Sequence, residues 1–145
     1  MSLQNLAGKT LEKVKADRKA VERLLAAAQR NLADAQLEGL SPENSFDLAY
    51  KSVMQSAMVA LLANGYRPLT SVPGHHQTAI QTLPLTIGAS STQVRLLDGL
   101  RRQRNLSDYS GETVSTATAD ECLKAARTLL LQVQQWLKVN RPALI

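Results

Sequence analysis

Thirty consecutive residues, 9–38, contain neither glycine nor proline, and apolar side chains recur through them at Leu11, Val14, Val21, Leu24, Leu25, Ala28, Leu32 and Ala35. Spacings of three and four place such residues on one face of an α-helix. The pattern predicts a long amphipathic helix over about 8–38. Lys13, Lys15, Arg18, Lys19, Arg23 and Arg30 fill much of the opposite face, and solvation alone accounts for them there. Gly39 ends the pattern, because a residue without a Cβ takes the left-handed cap conformation at no steric cost.

The remainder of the chain repeats the theme. Ser41 is an N-cap candidate with Pro42 at the first helical position, opening a second helix that continues to Gly65. Its apolar members, from Phe46, Ala49 and Tyr50 to Leu61 and Leu62, form a stripe wide enough for a central helix with neighbours on several sides. Met54 and Met58 read there as core filler. "YRPLTSVPG" is expected to be a loop. "HHQTAIQTLPLTIG" predicts a third helix of about 12 residues, kinked or ended by Pro84, which lacks a backbone donor. A fourth helix follows Ser90 or Ser91, with Val94, Leu96, Leu97 and Leu100 as its apolar set. "SDYSGETVSTAT" is expected as loop, and "TADE" reads as a capping box starting at Thr118. The last helix runs to about Val139 and buries Cys122, Leu129, Leu130, Val133, Trp136 and Leu137.

Aromatic residues are only 3% of the chain, so its core must be built from Leu, Ala, Val and Ile, which suits packed helices better than a sheet. The expected fold is all-α, an antiparallel up-and-down bundle of four to five helices joined by short loops. It forms one domain over 1–145, with its bundle core over about 44–139 and a short C-terminal tail. The formal charge of +5 is compatible with an anionic partner such as RNA, although many basic proteins bind none. A single cysteine, Cys122, cannot form an internal disulfide and fits a reducing cytoplasm. There is no apolar run of membrane-spanning length and no charged-then-apolar leader pattern, so no membrane association is expected.

Recognisable chemistry is sparse. His75 and His76 are adjacent, so on a helix they diverge by about 100° and do not chelate one ion from one face. CxxC, HExxH and phosphate-loop motifs are missing, so neither a metal nor a nucleotide cofactor is expected. What remains is "RRQRNLSDY", residues 101–109. If the fourth helix continues into it, Arg101 and Arg104 share a face while Arg102 points elsewhere. Cations near a helix C-terminus also favour its dipole. An arginine fork beside Asn105, Asp108 and Tyr109 can hold a phosphate bidentately. A buried structural network is the other reading of the same residues.

Three passages resemble the HEPN (higher eukaryotes and prokaryotes nucleotide-binding) domain family. "LAYKSVMQSAMVALLANGYRP" is similar to its central helix and exit turn, "PGHHQTAIQTL" to the helix after it, and "RNLSDY" to its Arg-x4–6-His ribonuclease motif. The resemblance implies a helical bundle, frequently a homodimer whose paired motifs line a cleft. Many members are metal-independent endoribonucleases, often toxins of toxin–antitoxin or defence systems. Others are non-catalytic and bind nucleotides or protein partners, nucleotidyltransferase antitoxins among them. By position Arg104 matches the motif arginine and Asn105 its usual neighbour, while Tyr109 stands where the histidine would be. Tyrosine ionises near pH 10 and is a poor base at neutrality. His75 or His76 supplies the imidazole if the third helix begins near the cluster. The alternative function is a non-catalytic interaction module that pairs with itself or with a protein partner.

Overall fold

The computed structural model describes residues 1–145. A short helix, α1 (Leu3–Leu6), leads into strand β1 (Leu11–Lys13), followed by α2 (Arg18–Asp34) and α3 (Pro42–Ala63). Strand β2 (Tyr66–Pro68) precedes the short helices α4 (His75–Gln81) and α5 (Leu83–Thr86). Two long helices, α6 (Ser91–Ser110) and α7 (Thr116–Asn140), and a 3-10 turn at Pro142–Leu144 complete the chain. The fold is all-α apart from the two-stranded antiparallel pair, in which Leu11 faces Pro68 and Lys13 faces Tyr66.

Helix α3 is the centre. Phe46, Ala49, Val53, Ala57, Ala60 and Leu61 are wholly buried, and α3 packs most extensively on α7 and α2. Small side chains let these helices approach closely. Ser52 Oγ donates to the Ala28 carbonyl at 2.8 Å, Ser45 Oγ donates to the Ala35 carbonyl at 2.7 Å, and Asn31 pairs with Gln55 at 2.8 Å. From the Ser45–Ala35 contact to the Ser52–Ala28 contact the numbering rises along α3 and falls along α2, so the two are antiparallel. Cys122 on α7 lies against the Phe46 carbonyl, and the Val114 N–H just before α7 reaches the Glu43 carboxylate, so α7 runs parallel to α3. Helix α6 returns antiparallel to α7, with Gln93 bonded to Gln132 at 2.8 Å, and completes the up-and-down order. The buried apolar residues form one continuous cluster.

Several boundaries differ from those the sequence suggests. The expected helix over 8–38 starts only at Arg18, because Leu11 is buried from an extended strand whose backbone pairs with residues 66–68. A helix through Leu11 would forfeit that pairing. The "YRPLTSVPG" loop therefore contains a strand. The third helix divides at Thr82, one residue before the short turn that holds Pro84. Thr82 Oγ1 donates to the Thr78 carbonyl at the break. Helix α6 takes in the first four residues of the stretch expected as loop, to Ser110, and ends at Gly111 with φ +67°, leaving 111–115 as the loop before α7. Ser115 rather than Thr118 caps α7, its Oγ accepting the Thr118 N–H at 3.1 Å.

At the start of α3, Ser41 Oγ accepts the Asn44 N–H at 3.1 Å. Ser41→Ala is expected to cost about 1 kcal/mol and to lower the melting temperature by roughly 2–4 °C, measurable by thermal unfolding followed by circular dichroism.

Candidate functional site

The continuation of α6 decides where the arginine cluster faces. Arg101 and Arg104 fall one turn apart, over the N-terminal half of α3. The Arg104 guanidinium lies over the Tyr50 ring with its Cζ 5.2 Å from the centroid, within range of a cation–π contact. Tyr50 is buried, and a buried phenol needs a partner for its hydroxyl. That partner is His76, whose Nδ1 is 3.0 Å from the Tyr50 oxygen. The rings are tilted by 47° at 5.6 Å. Gly74, at φ +90°, turns the chain into α4 and presents His76 to α3. The candidate site is thus Arg104 above Tyr50, with His76 alongside.

Ion pairs hold the arginines. Arg101 Nε donates to Asp98 at 2.9 Å, and its side chain is only 17% exposed. Arg102 pairs with the other oxygen of the same carboxylate at 3.1 Å from an exposed position. Arg104 Nε is 3.3 Å from Asp108, and 34% of its side chain remains exposed. Its terminal nitrogens have no partner among the protein's hydrogen bonds or ion pairs. Of the three arginines it is therefore the one that combines a partly exposed side chain with a place over the Tyr50 ring.

The surroundings set the protonation states. Burial, with the nearby charges of Arg104, His75 and Arg101, lowers the His76 pKa below its usual 6.5, so the imidazole is neutral at pH 7. Burial pushes the Tyr50 phenol up to about 12 against the opposing pull of Arg104 and Arg101. Tyr50 thus remains a hydroxyl and an available donor. Asp47, on the rim, has its carboxyl raised by partial burial and by the charge of Asp108, with Arg104 and Lys51 opposing. The Cys122 thiol is pushed up to about 12, chiefly by burial, which makes it inert core filler.

The structure separates the residues singled out from sequence. Arg104, Arg101, Asp108 and His76 come together. Tyr109 does not join them, since it projects from the last turn of α6 and is 87% exposed. Asn105 is half-buried, and its side chain forms no hydrogen bond within the chain. His75 turns away from His76 into a groove beside Tyr66. Sequence reasoning missed Tyr50, which it counted in the apolar stripe, and Asp98, which anchors two arginines. The one available signal for Tyr50 was its hydroxyl at a core position.

No three His, Cys, Asp or Glu side chains gather in a way that would hold a metal ion. No helix is long and apolar enough to cross a membrane. The largest groove, about 530 Å³, lies between α6 and α7 along Gln93, Leu96, Ala125 and Gln132, away from His76. In comparisons with known proteins the chain matches no family model and no curated protein.

Proposed function

We propose that the chain is a HEPN-like protein that binds or acts on RNA or nucleotides, as a metal-independent endoribonuclease centred on Arg104, Tyr50 and His76. The observation that carries this reading is the neutral His76 imidazole held at 3.0 Å from Tyr50, with the Arg104 guanidinium over the same ring. Cleaving an RNA strand without a metal requires a base for the 2′-hydroxyl and a cation for the charge that develops at phosphorus. Arg104 provides the cation, with unpartnered terminal N–H groups. His76 provides the base. When its Nδ1–H donates to the Tyr50 oxygen, Nε2 carries the free lone pair; when Tyr50 donates to Nδ1, Nε2 carries the proton. In the first form Nε2 takes the 2′-hydroxyl proton as that oxygen attacks phosphorus, and the imidazolium so formed, its Nδ1–H held on the Tyr50 oxygen, returns a proton to the 5′-oxygen as the P–O bond to it breaks. In this reading Tyr109 is not the counterpart of the family's histidine, and the imidazole comes from α4. By the same resemblance the protein acts in the cytoplasm, as a homodimer, alongside an antitoxin or nucleotidyltransferase partner.

Cleavage of total RNA in EDTA tests the reading. Because neutral His76 is the base, the rate should fall as pH drops through its lowered pKa and be level from about pH 7 upward until another group titrates. His76→Asn should abolish the activity, and a rate indifferent to that change would refute the assignment. Stability carries the same sign for this group. A histidine whose folded pKa is depressed contributes stability above 6.5 and loses it as pH falls from 6.5 through the folded value. Asp47 acts oppositely in a lower window, since its raised folded pKa contributes stability below 3.8 that is lost as pH rises through the folded value.

A second reading, the non-catalytic interaction module, has an observation of its own. Asp98 and Asp108 offset much of the arginine charge, and Leu96 and Leu106 are exposed on the same helix. A polar seam flanked by leucines fits a protein partner. It predicts a stable complex and no RNA turnover at any pH.

A further inference from the structure

Residues 1–30 contain seven Lys and Arg against three Asp and Glu, which is +4 of the whole chain's +5. Most of the net positive charge therefore lies on β1, its flanks and α2 rather than on the arginine cluster. Arg18 pairs with Glu22, but Lys19, Arg23 and Arg30 are exposed and have no ion-pair partner. At 100° per residue these three fall within about 40° of one another on α2, and they span about 16 Å of its length.

Beside that stripe on the same helix, Ala20 and Leu24 line a groove of about 380 Å³ closed by Met58 and Leu62 from α3, Tyr66 and Arg67 from β2, and His75. Arg67 is tied to Glu12 but keeps an exposed side chain on the rim. His75 Nε2 is buried there without a hydrogen-bond partner. The next residue, His76, bonds Tyr50 beneath Arg104. A cation on the rim, an apolar floor, aromatic rings in the wall and an unpaired nitrogen thus meet at His75, whose sequence neighbour His76 belongs to the candidate site.

We infer that this α2–α3–α4 groove is the lead-in for single-stranded RNA: phosphates run along Lys19, Arg23 and Arg30, and an unstacked base enters against Tyr66 and His75. Basic grooves furnished with stacking rings bind single strands in this way, each base offering a π-face and each phosphate a charge. A duplex keeps its bases stacked inside and gains nothing from such a floor. A membrane surface would require apolar side chains standing out among the cations, and on this face the apolar residues line the groove instead. The inference rests on the RNA reading of the Arg104 site, and it adds where the strand approaches.

The test is fluorescence anisotropy of a labelled 15-nucleotide single-stranded RNA and its duplex, across a range of salt, with the full chain. Four proteins are compared: the wild type, Lys19→Gln/Arg23→Gln/Arg30→Gln, Tyr66→Leu and Arg104→Ala. Circular dichroism establishes that each is folded. The wild type should prefer the single strand. The triple variant should bind it at least about tenfold more weakly, with the slope of log K against log salt reduced by about 2, since each lost contact to a single strand removes about 0.7. Tyr66→Leu should lower affinity while leaving that slope unchanged, which separates stacking from charge. An unchanged slope in the triple variant would overturn the inference, and if Arg104→Ala still lost activity the cleft reading would stand without it. Salt-sensitive binding lost in the triple variant, with Arg104→Ala cleaving RNA in EDTA as fast as wild type, would uphold the groove and remove the cleft. Equal affinity for duplex and single strand, or binding only to vesicles of anionic lipid, would also overturn it.

Discussion

Arg104→Ala is expected to slow RNA cleavage in EDTA by roughly 10²–10³-fold, the usual effect of deleting one preorganised donor to a transition-state oxyanion. The protein should remain folded. Arg104 is partly exposed and its ion pair with Asp108 is an i,i+4 pair, a class worth about 0.3–0.5 kcal/mol. Its cation–π contact with Tyr50 adds about 1 kcal/mol. Losses of that size leave a domain of marginal but ordinary stability largely native. The lesion should therefore appear in the rate and hardly at all in the denaturation midpoint. Arg104→Lys is the informative companion. It keeps the charge but loses the planar fork and the stacking over Tyr50, so it should recover only part of the rate. Equal cleavage by wild type and Arg104→Ala would mean that the nucleolytic centre lies elsewhere or that the protein is not a nuclease.

How much of this was legible beforehand depends on what kind of signal each feature leaves. Helical class and the positions of α2, α3, α6 and α7 follow from apolar spacing and from the poverty of aromatic residues, both local properties. Ser41 and Pro42 announced the start of α3 because capping chemistry is local too. The β1–β2 pair left no such trace. Leu11 and Val14 are three apart and fit a helix as readily as anything else, and only pairing with residues 55 positions away makes the strand. Ser107, Asp108 and Ser110 argued for a loop after Arg104, yet the Arg104–Asp108 pair and the left-handed Gly111 carry α6 to Ser110. The site followed the same division. The arginines were visible as a run. Tyr50 was hidden because a tyrosine in an apolar stripe looks like filler until tertiary structure shows what its hydroxyl meets. Tyr109 drew attention by motif spacing, a one-dimensional argument that its exposed position at the helix end does not support.

The strongest stability effect should come from Phe46→Ala. Phe46 is wholly buried and lies nearly parallel to Tyr50, with ring centroids 6.4 Å apart. Its backbone carbonyl also faces the Cys122 sulfur on α7, at 3.8 Å. Truncating a buried phenylalanine costs about 3–5 kcal/mol, part in lost transfer energy and part in the cavity left behind. For a chain of this size that is roughly 10–15 °C in melting temperature. Urea denaturation should show the midpoint falling with little change in slope. Phe46→Leu, which refills most of the volume, should cost less than half as much. The proposed function makes a demand on the same packing. Tyr50 is held between Phe46 on its own helix and Arg104 above, and that clamp keeps its hydroxyl on His76. In Phe46→Ala, assayed at a temperature where the protein is still folded, cleavage should therefore fall by more than the folded fraction explains, whereas Phe46→Leu should lose rate only in proportion to folding. A Phe46→Ala protein with a wild-type rate per folded molecule would show that the Tyr50–His76 contact does not depend on the core beneath it.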